Sequence, residues 1–456
     1  MLLTLWRWGA LPALALLLTA CSALDSAPPA LTGLAPGDPN ALQVFAPWPN
    51  GPEAAAVAAL HAAYRAEHPG ATVANPALVA TPVANPLDLL KYQLLNGDPL
   101  DVLGGVTAGT LKDTYAAAGL LTPLDDLYRN EGWDTAFPPA LLGMMQAHDQ
   151  RWAVPVSVRR GSLLWYNKGL FAKYGLQPPA TFADFFKAAE VFKAQKLFGL
   201  ALGNHEPAVS AQLFETLLLG TLGADGYNGL WTQRTAWDDP RLATVFTTYL
   251  RMLPYEDPNH AYQTWQEADD QLIAGKAGML FMDDRVVADF QAKGFTDYGW
   301  LPAPGTAGLF DTLPTVFALP KNAAHPDAAR EWLHTAGSGA GQAAYAAPLG
   351  ALPARRDAAP AAGNAYLQAA ARDWQTAALV PSVTGGAAVG SAWTADYITA
   401  ADQFVNSGNT TAATAALSQA CINAGVCPPL TPTAPAVAGG VRAGGICVLL
   451  TLVLNP

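Results

Sequence analysis

Apolar residues return along this chain in two alternating registers: short unbroken runs, and longer stretches in which they recur every three or four positions. The first register predicts strands and the second predicts helices with one buried face. Leu42-Gln-Val-Phe45 predicts a strand, and the loop Ala46-Pro-Trp48-Pro-Asn50-Gly51 follows it, its two prolines precluding regular structure. A helix runs from about Pro52, with Val57, Leu60 and Tyr64 on one face and Pro69-Gly70 as its stop. Pro86 opens another with Leu87, Leu90 and Leu94 on one stripe, Asn96-Gly97-Asp98-Pro99 ends it, and Asp101-Val102-Leu103 predicts the next strand. Residues 108–118 are an Ala-rich helix candidate. Trp152-Ala-Val-Pro-Val156 and Leu163-Leu-Trp-Tyr166 predict strands on either side of the polar Arg159-Arg160-Gly161. Thr181 caps a helix with Asp184 at N3 and Phe182, Phe185, Phe186 and Ala189 facing inward.

The clearest unit is 264–285. Thr264 precedes a helix with Ala268, Leu272 and Ile273 facing the core, and Gly275 ends it. Ala277-Gly-Met-Leu-Phe-Met282 then predicts a strand buried on both faces, which closes on Asp283-Asp284-Arg285. A Pro-rich crossing, Leu301-Pro-Ala-Pro-Gly305, leads to a strand at Val316-Phe-Ala-Leu319 and a helix entered at Pro326, with Ala329, Trp332 and Leu333 inward. Residues 363–421 read as wholly helical, with helices near 364–375, 391–405 and 410–420; beyond Cys427, Pro and Gly take over and disorder is expected. Strands alternating with helices predict an α/β fold, and 456 residues are enough to divide into more than one lobe.

Only 13% of the residues are charged and the net charge is −11, without clustered Lys and Arg. A phosphate backbone is not neutralised by such a surface, so nucleic acid is excluded and a neutral ligand is expected. Residues 1–20 carry one charge, Arg7, then the apolar run 11–18, too short for the ~20 residues of a spanning helix. This is the pattern of a secretory signal, and its end, Leu18-Thr19-Ala20-Cys21, resembles the bacterial lipobox. That resemblance implies cleavage before Cys21 and acylation of its side chain, which anchors without spanning. Residues 21–40, rich in Pro, Ala, Gly and Ser, then serve as a flexible spacer. Cys421 and Cys427 stand six apart and are expected to close a small disulfide loop in an oxidising compartment; with no His beside them, metal binding is the weaker reading. Cys447 lies in the apolar stretch 444–456, which has no assigned role.

Six segments together resemble the extracellular sugar-binding proteins that feed bacterial ABC importers, most closely the branch that takes up glucose and galactose. They are Asn96-Gly-Asp-Pro-Leu-Asp101, Trp152-Ala-Val-Pro-Val156 with Trp165-Tyr166-Asn167, Trp265-Gln-Glu-Ala268 with Gly275-Lys276-Ala277, Met282-Asp-Asp284, Pro302-Ala-Pro-Gly305 and Phe317-Ala-Leu-Pro-Lys321. No one of them is specific, but their order holds from about residue 42 to about residue 420. The resemblance implies a two-lobe periplasmic-binding-protein-like α/β fold with a hinge and an interlobe cleft. Crossings are expected near Val154–Val158, Trp300–Gly305 and Ser338–Leu349. Lobe one would take 41–154 and 301–337, lobe two 155–300 and 338–430, and 431–456 would be a disordered tail. The implied partners are a carbohydrate, ABC permease subunits and, through the lipid, the membrane, for a monomer outside the cytoplasm on the periplasmic side or the cell surface.

Sugar recognition needs flat apolar surface for the ring and convergent polar groups for its hydroxyls. Trp48 and Asn50 lie in the loop after the first strand, where ligands of open α/β sheets collect, and Trp48 matches a stacking tryptophan of the resembled branch. Trp265 stands outside the apolar stripe of its helix and, with Trp231 in Asn228-Gly-Leu-Trp231, matches further stacking positions; Trp231 reads as part of a Gly-rich turn. Tyr166 is a weaker candidate with a core role as its alternative. Asp284 and Arg285 emerge at the end of a buried strand, with Arg285 where the family commonly has an aromatic residue. The branch's polar contacts are altered: Gly105-Val106-Thr107 replaces a Gln-x-His pair, Thr315 stands near its aspartate, Leu349 near its lysine and Thr384 near its histidine. Each loss of a charged partner costs about 1.5–3 kcal/mol, so the ligand or its affinity must differ. Thr315 and Thr384 remain candidates.

Catalysis is not expected. The chain has no Gly-x-Ser-x-Gly elbow, His-Glu-x-x-His motif or phosphate loop, and His205-Glu206 has no third ligand at zinc spacing. Asp283 and Asp284, adjacent at a strand end, would point to opposite faces rather than share a substrate. Neither cofactor nor metal is expected. The competing readings are a structural envelope lipoprotein with a decayed cleft and a binder of a solute other than glucose.

Overall fold

The computed structural model describes residues 41–75 and 86–428. The signal segment, the spacer with Cys21, and the tail 431–456 with Cys447 lie outside the described residues. In the first sheet β1 (Ala41–Phe45) lies between β2 (Thr72–Ala74) and β3 (Val102–Leu103) and is parallel to both. Parallel neighbours need crossovers, and the helices Gly51–Glu67 and Pro86–Asn96 supply them. The first of these buries Val57, Leu60 and Tyr64, the stripe expected from the sequence.

After a short hairpin, β4 (Gln146–Ala147) and β5 (Gln150–Arg151), the chain enters β6 (Val154–Arg160) and turns directly into β7 (Leu163–Asn167). The second sheet follows. Its strand β8 (Phe198–Ala201) runs parallel to β9 (Ala277–Phe281), β7 is antiparallel to β9, and β10 (Tyr298–Pro302) pairs antiparallel with the outer side of β7. All five residues of β9 are buried, as a continuous apolar strand requires. Two helix starts are capped as read from the sequence. Thr181 Oγ1 accepts from Asp184 N, and Thr264 and Glu267 form a reciprocal capping box.

A third sheet joins the two halves. In it β11 (Leu309–Phe317) runs antiparallel to β6, with a bulge between Thr315 and Val316, while β12 (Leu352–Pro353) pairs with β6 and β13 (Ala378–Pro381) runs parallel to β11. At its far end β11 reaches the first sheet through the bridge Leu103–Ala318. Two crossing strands between two α/β lobes are the architecture that the resemblance implied.

Three local expectations change. The third crossing is instead the helix Gly339–Leu349, which packs along Gly51–Glu67; Ser338 caps it, Gly350 at φ +58° ends it, and Gln342 Nε2 donates to Pro155 O of β6. The stretch 363–421 is not wholly helical. Its helices Ala365–Thr376, Ser391–Ser407 and Thr410–Asn423 are interrupted by β13, because the apolar Ala378-Leu-Val-Pro381 fills the open edge of β11. Asn228-Gly-Leu230 is not a turn but the end of the helix Pro207–Leu230, which is kinked at Gly223 and buried on nearly every side; Trp231 is its C-cap and opens the turn that follows. Cys421, in the last turn of the helix Thr410–Asn423, is bridged to Cys427 just beyond it, with Cα atoms 5.2 Å apart.

That long helix presses on the segment after β10. Gly305 has φ +84°, and a Cβ there would stand 2.1 Å from Gly220 O; one on Gly220 would stand 2.4 Å from Pro304 O. Backbone meets backbone, so neither side can yield. Gly305→Ala is expected to cost roughly 1–3 kcal/mol, read as a lower urea midpoint at unchanged slope; an unchanged midpoint would show that the two segments part easily.

Candidate functional site

The end of β9 builds the site. Asp283, fully buried, accepts from the backbone N–H of Arg285 at 2.9 Å, from Arg285 Nε at 2.8 and 2.9 Å and Nη2 at 2.6 Å, and from Gln212 Nε2 at 2.9 Å. Burial pushes its carboxyl up, but the Arg285 guanidinium, aided by Arg159 and the Gln212 amide, outweighs that and holds it at about 2. The clamp orients a guanidinium whose Nη1 has no protein partner among the described residues. Its central carbon lies 5.9 Å from the Trp265 ring centroid. Trp265 is itself fixed as the first residue of the helix Trp265–Ile273 by the Thr264–Glu267 box.

The neighbouring wall comes from the helix Pro207–Leu230. Glu206 and Gln212 face the pocket, and one turn beyond Gln212 the buried Glu215 holds the loop after β13. Glu215 accepts from Val383 N at 2.6 Å, Thr384 N at 3.1 Å and Ser382 Oγ at 3.2 Å, and from the hydroxyls of Thr384 and Tyr227. Thr384 is thereby set at the edge of a cavity of about 220 Å³ that it shares with Trp265, Arg285, Gln212, Glu206 and Leu313. Glu206 Oε2 is buried there without a donor.

Across from these residues, Arg159 of β6 pairs with Glu53 in the first turn of the helix Gly51–Glu67, Nη2 to Oε1 at 3.0 Å. The two ions lie close enough to Asp283, Asp284 and Arg285 to shift their titration.

Of the sequence candidates, Trp265, Arg285 and Thr384 line one cavity. Trp48 is half-buried against the core and Asn50 is the exposed cap residue of the helix that carries Glu53; neither lines that cavity. Thr315, on β11 opposite Ser157 of β6, does not line that cavity either. Tyr166 lies across Gly299 of β10 and packs on Phe171 at 4.9 Å, because a strand partner without a side chain leaves room for its ring. Asp284 points away from Asp283 and accepts from Tyr366 at 2.8 Å. Trp231 lines a different pocket. Glu53, Arg159, Gln212 and Glu215 escaped sequence reasoning. The Arg159-Arg160 pair inside an apolar strand was the one available signal; the helix bearing Gln212 and Glu215 is too evenly apolar to show a polar face.

Asp284 gives a pH test. Burial and the Asp283 charge push its carboxyl up to about 7, against the bond from Tyr366. Between an unfolded value near 4 and that folded value, the unfolded chain loses the proton while the folded one keeps it. Stability therefore falls as pH rises through this window and does not recover above it. Asp284→Asn keeps the acceptor for Tyr366 and removes the titration. Its stability relative to wild type is expected to be about 2 kcal/mol more favourable at pH 8 than at pH 5, read by urea denaturation at both; a pH-independent difference would refute the assignment.

The family model described as bacterial extracellular solute-binding protein matches residues 48–343. An uncharacterised ABC transporter extracellular-binding protein of Pyrococcus horikoshii is 32% identical, the match covering 78% of this chain and 81% of that protein. A probable sugar-binding periplasmic protein of Mesorhizobium japonicum is 31% identical over 53% of this chain and 60% of its own length. Among solved structures, the bacterial solute receptor AcbH, described as preferring β-D-galactopyranose, superposes with a TM-score of 0.73 at 21% identity, covering 84% of this chain and 98% of that one. A chitin oligosaccharide binding protein does so at 0.68 and 20%, with the same coverage. At these identities the structures attest the fold.

Proposed function

We propose a function from one premise: this chain belongs to the bacterial extracellular solute-binding protein family. We infer that it captures a neutral carbohydrate outside the membrane and delivers it to an ABC permease. The observation that carries this reading is the Arg285 guanidinium, clamped by Asp283 over the Trp265 ring beside Thr384 and Gln212. The cationic side chains near the site are paired, Arg285 with Asp283 and Arg159 with Glu53, so an anionic ligand has no free counter-ion among them. What is left over is a donor, Arg285 Nη1, an acceptor, Glu206 Oε2, and an aromatic ring. A polyhydroxylated ring uses all three. Trp48 and Asn50, just before Glu53, are assigned to the facing wall from lobe one. Contacts from both lobes would make closure favourable, since a ligand touching one lobe has no preference between open and closed arrangements. The protein is taken to work as a monomer tethered by lipid at Cys21.

A panel of mono- and disaccharides should contain a ligand detectable by calorimetry. A central stacking ring is worth about 2 kcal/mol on truncation, so Trp265→Ala and Trp48→Ala are each expected to weaken that ligand roughly thirtyfold with little change in melting temperature. Equal binding by Trp265→Ala would misplace the site, and no sugar binding to the wild type would end the carbohydrate reading. Separately, Cys21→Ser is expected to leave an unprocessed or soluble protein; normal processing with acyl retention would remove the lipid anchor.

A further inference from the structure

Behind Trp265 lies a set of polar groups that the cleft itself does not use. The helix Trp265–Ile273 is entered from the segment 256–264, which runs alongside 203–206, and 203–206 ends on Glu206 of the cleft. Asn204 N donates to His260 O at 3.0 Å and His205 N to Gln263 O at 2.9 Å. The approach is close: a Cβ on Gly203 would stand 2.1 Å from Thr264 O. Side chains brace the same two segments. Asp257 Oδ2 accepts from Gln263 Nε2 and from Gln271 Nε2 of the helix, each at 2.9 Å. His260 Nδ1 donates to Asn204 Oδ1 at 2.6 Å, since an amide oxygen can only accept. Trp265 and Glu206 are therefore held by one bonded unit.

Beneath that unit lies Glu256. Its side chain is fully buried, and neither carboxyl oxygen has a hydrogen-bond partner. Among the described residues no Lys or Arg pairs with it, and its one ion-pair partner is His260, with Nδ1 3.6 Å from Oε2. Tyr249 of the helix Leu242–Met252 faces it, with Asp402 of the helix Ser391–Ser407 beyond, and Asp257 adjoins it in the chain and acts on His260. None of these offsets a negative charge, and burial pushes the Glu256 carboxyl up to about 8. Burial likewise lowers His260, against the pull of Asp257.

Below that pH the acid is neutral and tolerates its surroundings. Above it, the proton passes to solvent beside His260, whose side chain is 20% exposed, and the carboxylate left behind requires a donor. The nearest is the Nδ1–H of His260, which is engaged with Asn204. Turning it to Glu256 forms one bond and breaks the one that ties Asn204 to the brace.

We propose that Glu256 and His260 are positioning residues for the cleft: ionisation of Glu256 draws His260 away from Asn204 and shifts Trp265, so the site is braced at neutral pH and loosened in alkaline surroundings. Neither residue lines the cleft cavity. Only the consequence for a bound sugar rests on the proposed function; the placement of Trp265 does not, and it is tested without ligand.

The protein is labelled with 5-fluorotryptophan, and the fluorine resonance of Trp265 is the one missing from Trp265→Phe. Between pH 6 and pH 9.5 that resonance is expected to move in the wild type through a step with its midpoint at about 8. The step is expected to be absent from Glu256→Gln and from Glu256→Leu, whose side chain is apolar; either variant suffices, and melting curves verify folding. A step from Asp284, at about 7, remains in all three. Asn204→Ala removes the acceptor of His260 and is expected, already at pH 6, to shift the resonance in the direction of the wild-type step, which the field of a distant charge cannot do. The proposal is overturned if the wild type shows no step near 8, if both Glu256 variants keep it, or if Asn204→Ala leaves the resonance in place. A protein that binds no sugar but shows the step loses the carbohydrate reading and keeps this one.

Discussion

A carboxylate buried in the middle of a helix organises this molecule's binding face. Glu215 collects two backbone amides and three hydroxyls, and most of these donors lie in one loop, Ser382–Thr384. Burial pushes its carboxyl up while those donors pull it down, so the loop is held by the same bonds that keep the acid tolerable inside the protein. One helical turn earlier, Gln212 bonds Asp283, which in turn clamps Arg285. A single helix thus sets both the loop edge and the guanidinium of the cleft, and its own position is fixed by the close approach of Gly220 and Gly305.

Adjacent carboxylates at the end of β9 show how much environment outweighs residue type. Asp283 and Asp284 are both buried, yet one is held low by a guanidinium within bonding distance and the other is raised by burial and by its neighbour's charge. The divergence follows from strand geometry, since successive side chains leave a strand in opposite directions. One carboxylate becomes the base plate of the site and the other a partner for Tyr366 in the core.

The partition Ser382–Gly386 also determines how the aromatic residues are used. Trp265 is left at the cleft, while Trp231 joins Tyr227, Trp237, Trp393 and Tyr397 in a packed cluster on the other side. Aromatic residues that look interchangeable in a sequence are therefore divided between two cavities by a loop that carries no aromatic ring of its own.

By itself, the sequence determined the elements whose signals are local. The caps at Thr181 and Thr264, the stripe of Val57, Leu60 and Tyr64, and the buried run 277–281 each depend on residues within one or two turns or along one strand, so periodicity and capping chemistry expose them. The two-lobe plan was legible only through resemblance, because sheet order rests on pairings as distant as Arg160 with Thr312. Within the site, Arg285 and Trp265 were found from their places at element ends. Glu53, Arg159, Gln212 and Glu215 were not, since a polar residue in an apolar helix or strand is ambiguous until its partner is known, and the partners that tie them to the site, Arg159 with Glu53, Gln212 with Asp283 and Glu215 with Val383, lie 106, 71 and 168 residues apart. Tertiary structure alone assigned Trp231 and Trp265 to different cavities and made 378–381 a strand. Both outcomes depend on which edge or wall the folded chain leaves open, a property that no local stretch encodes.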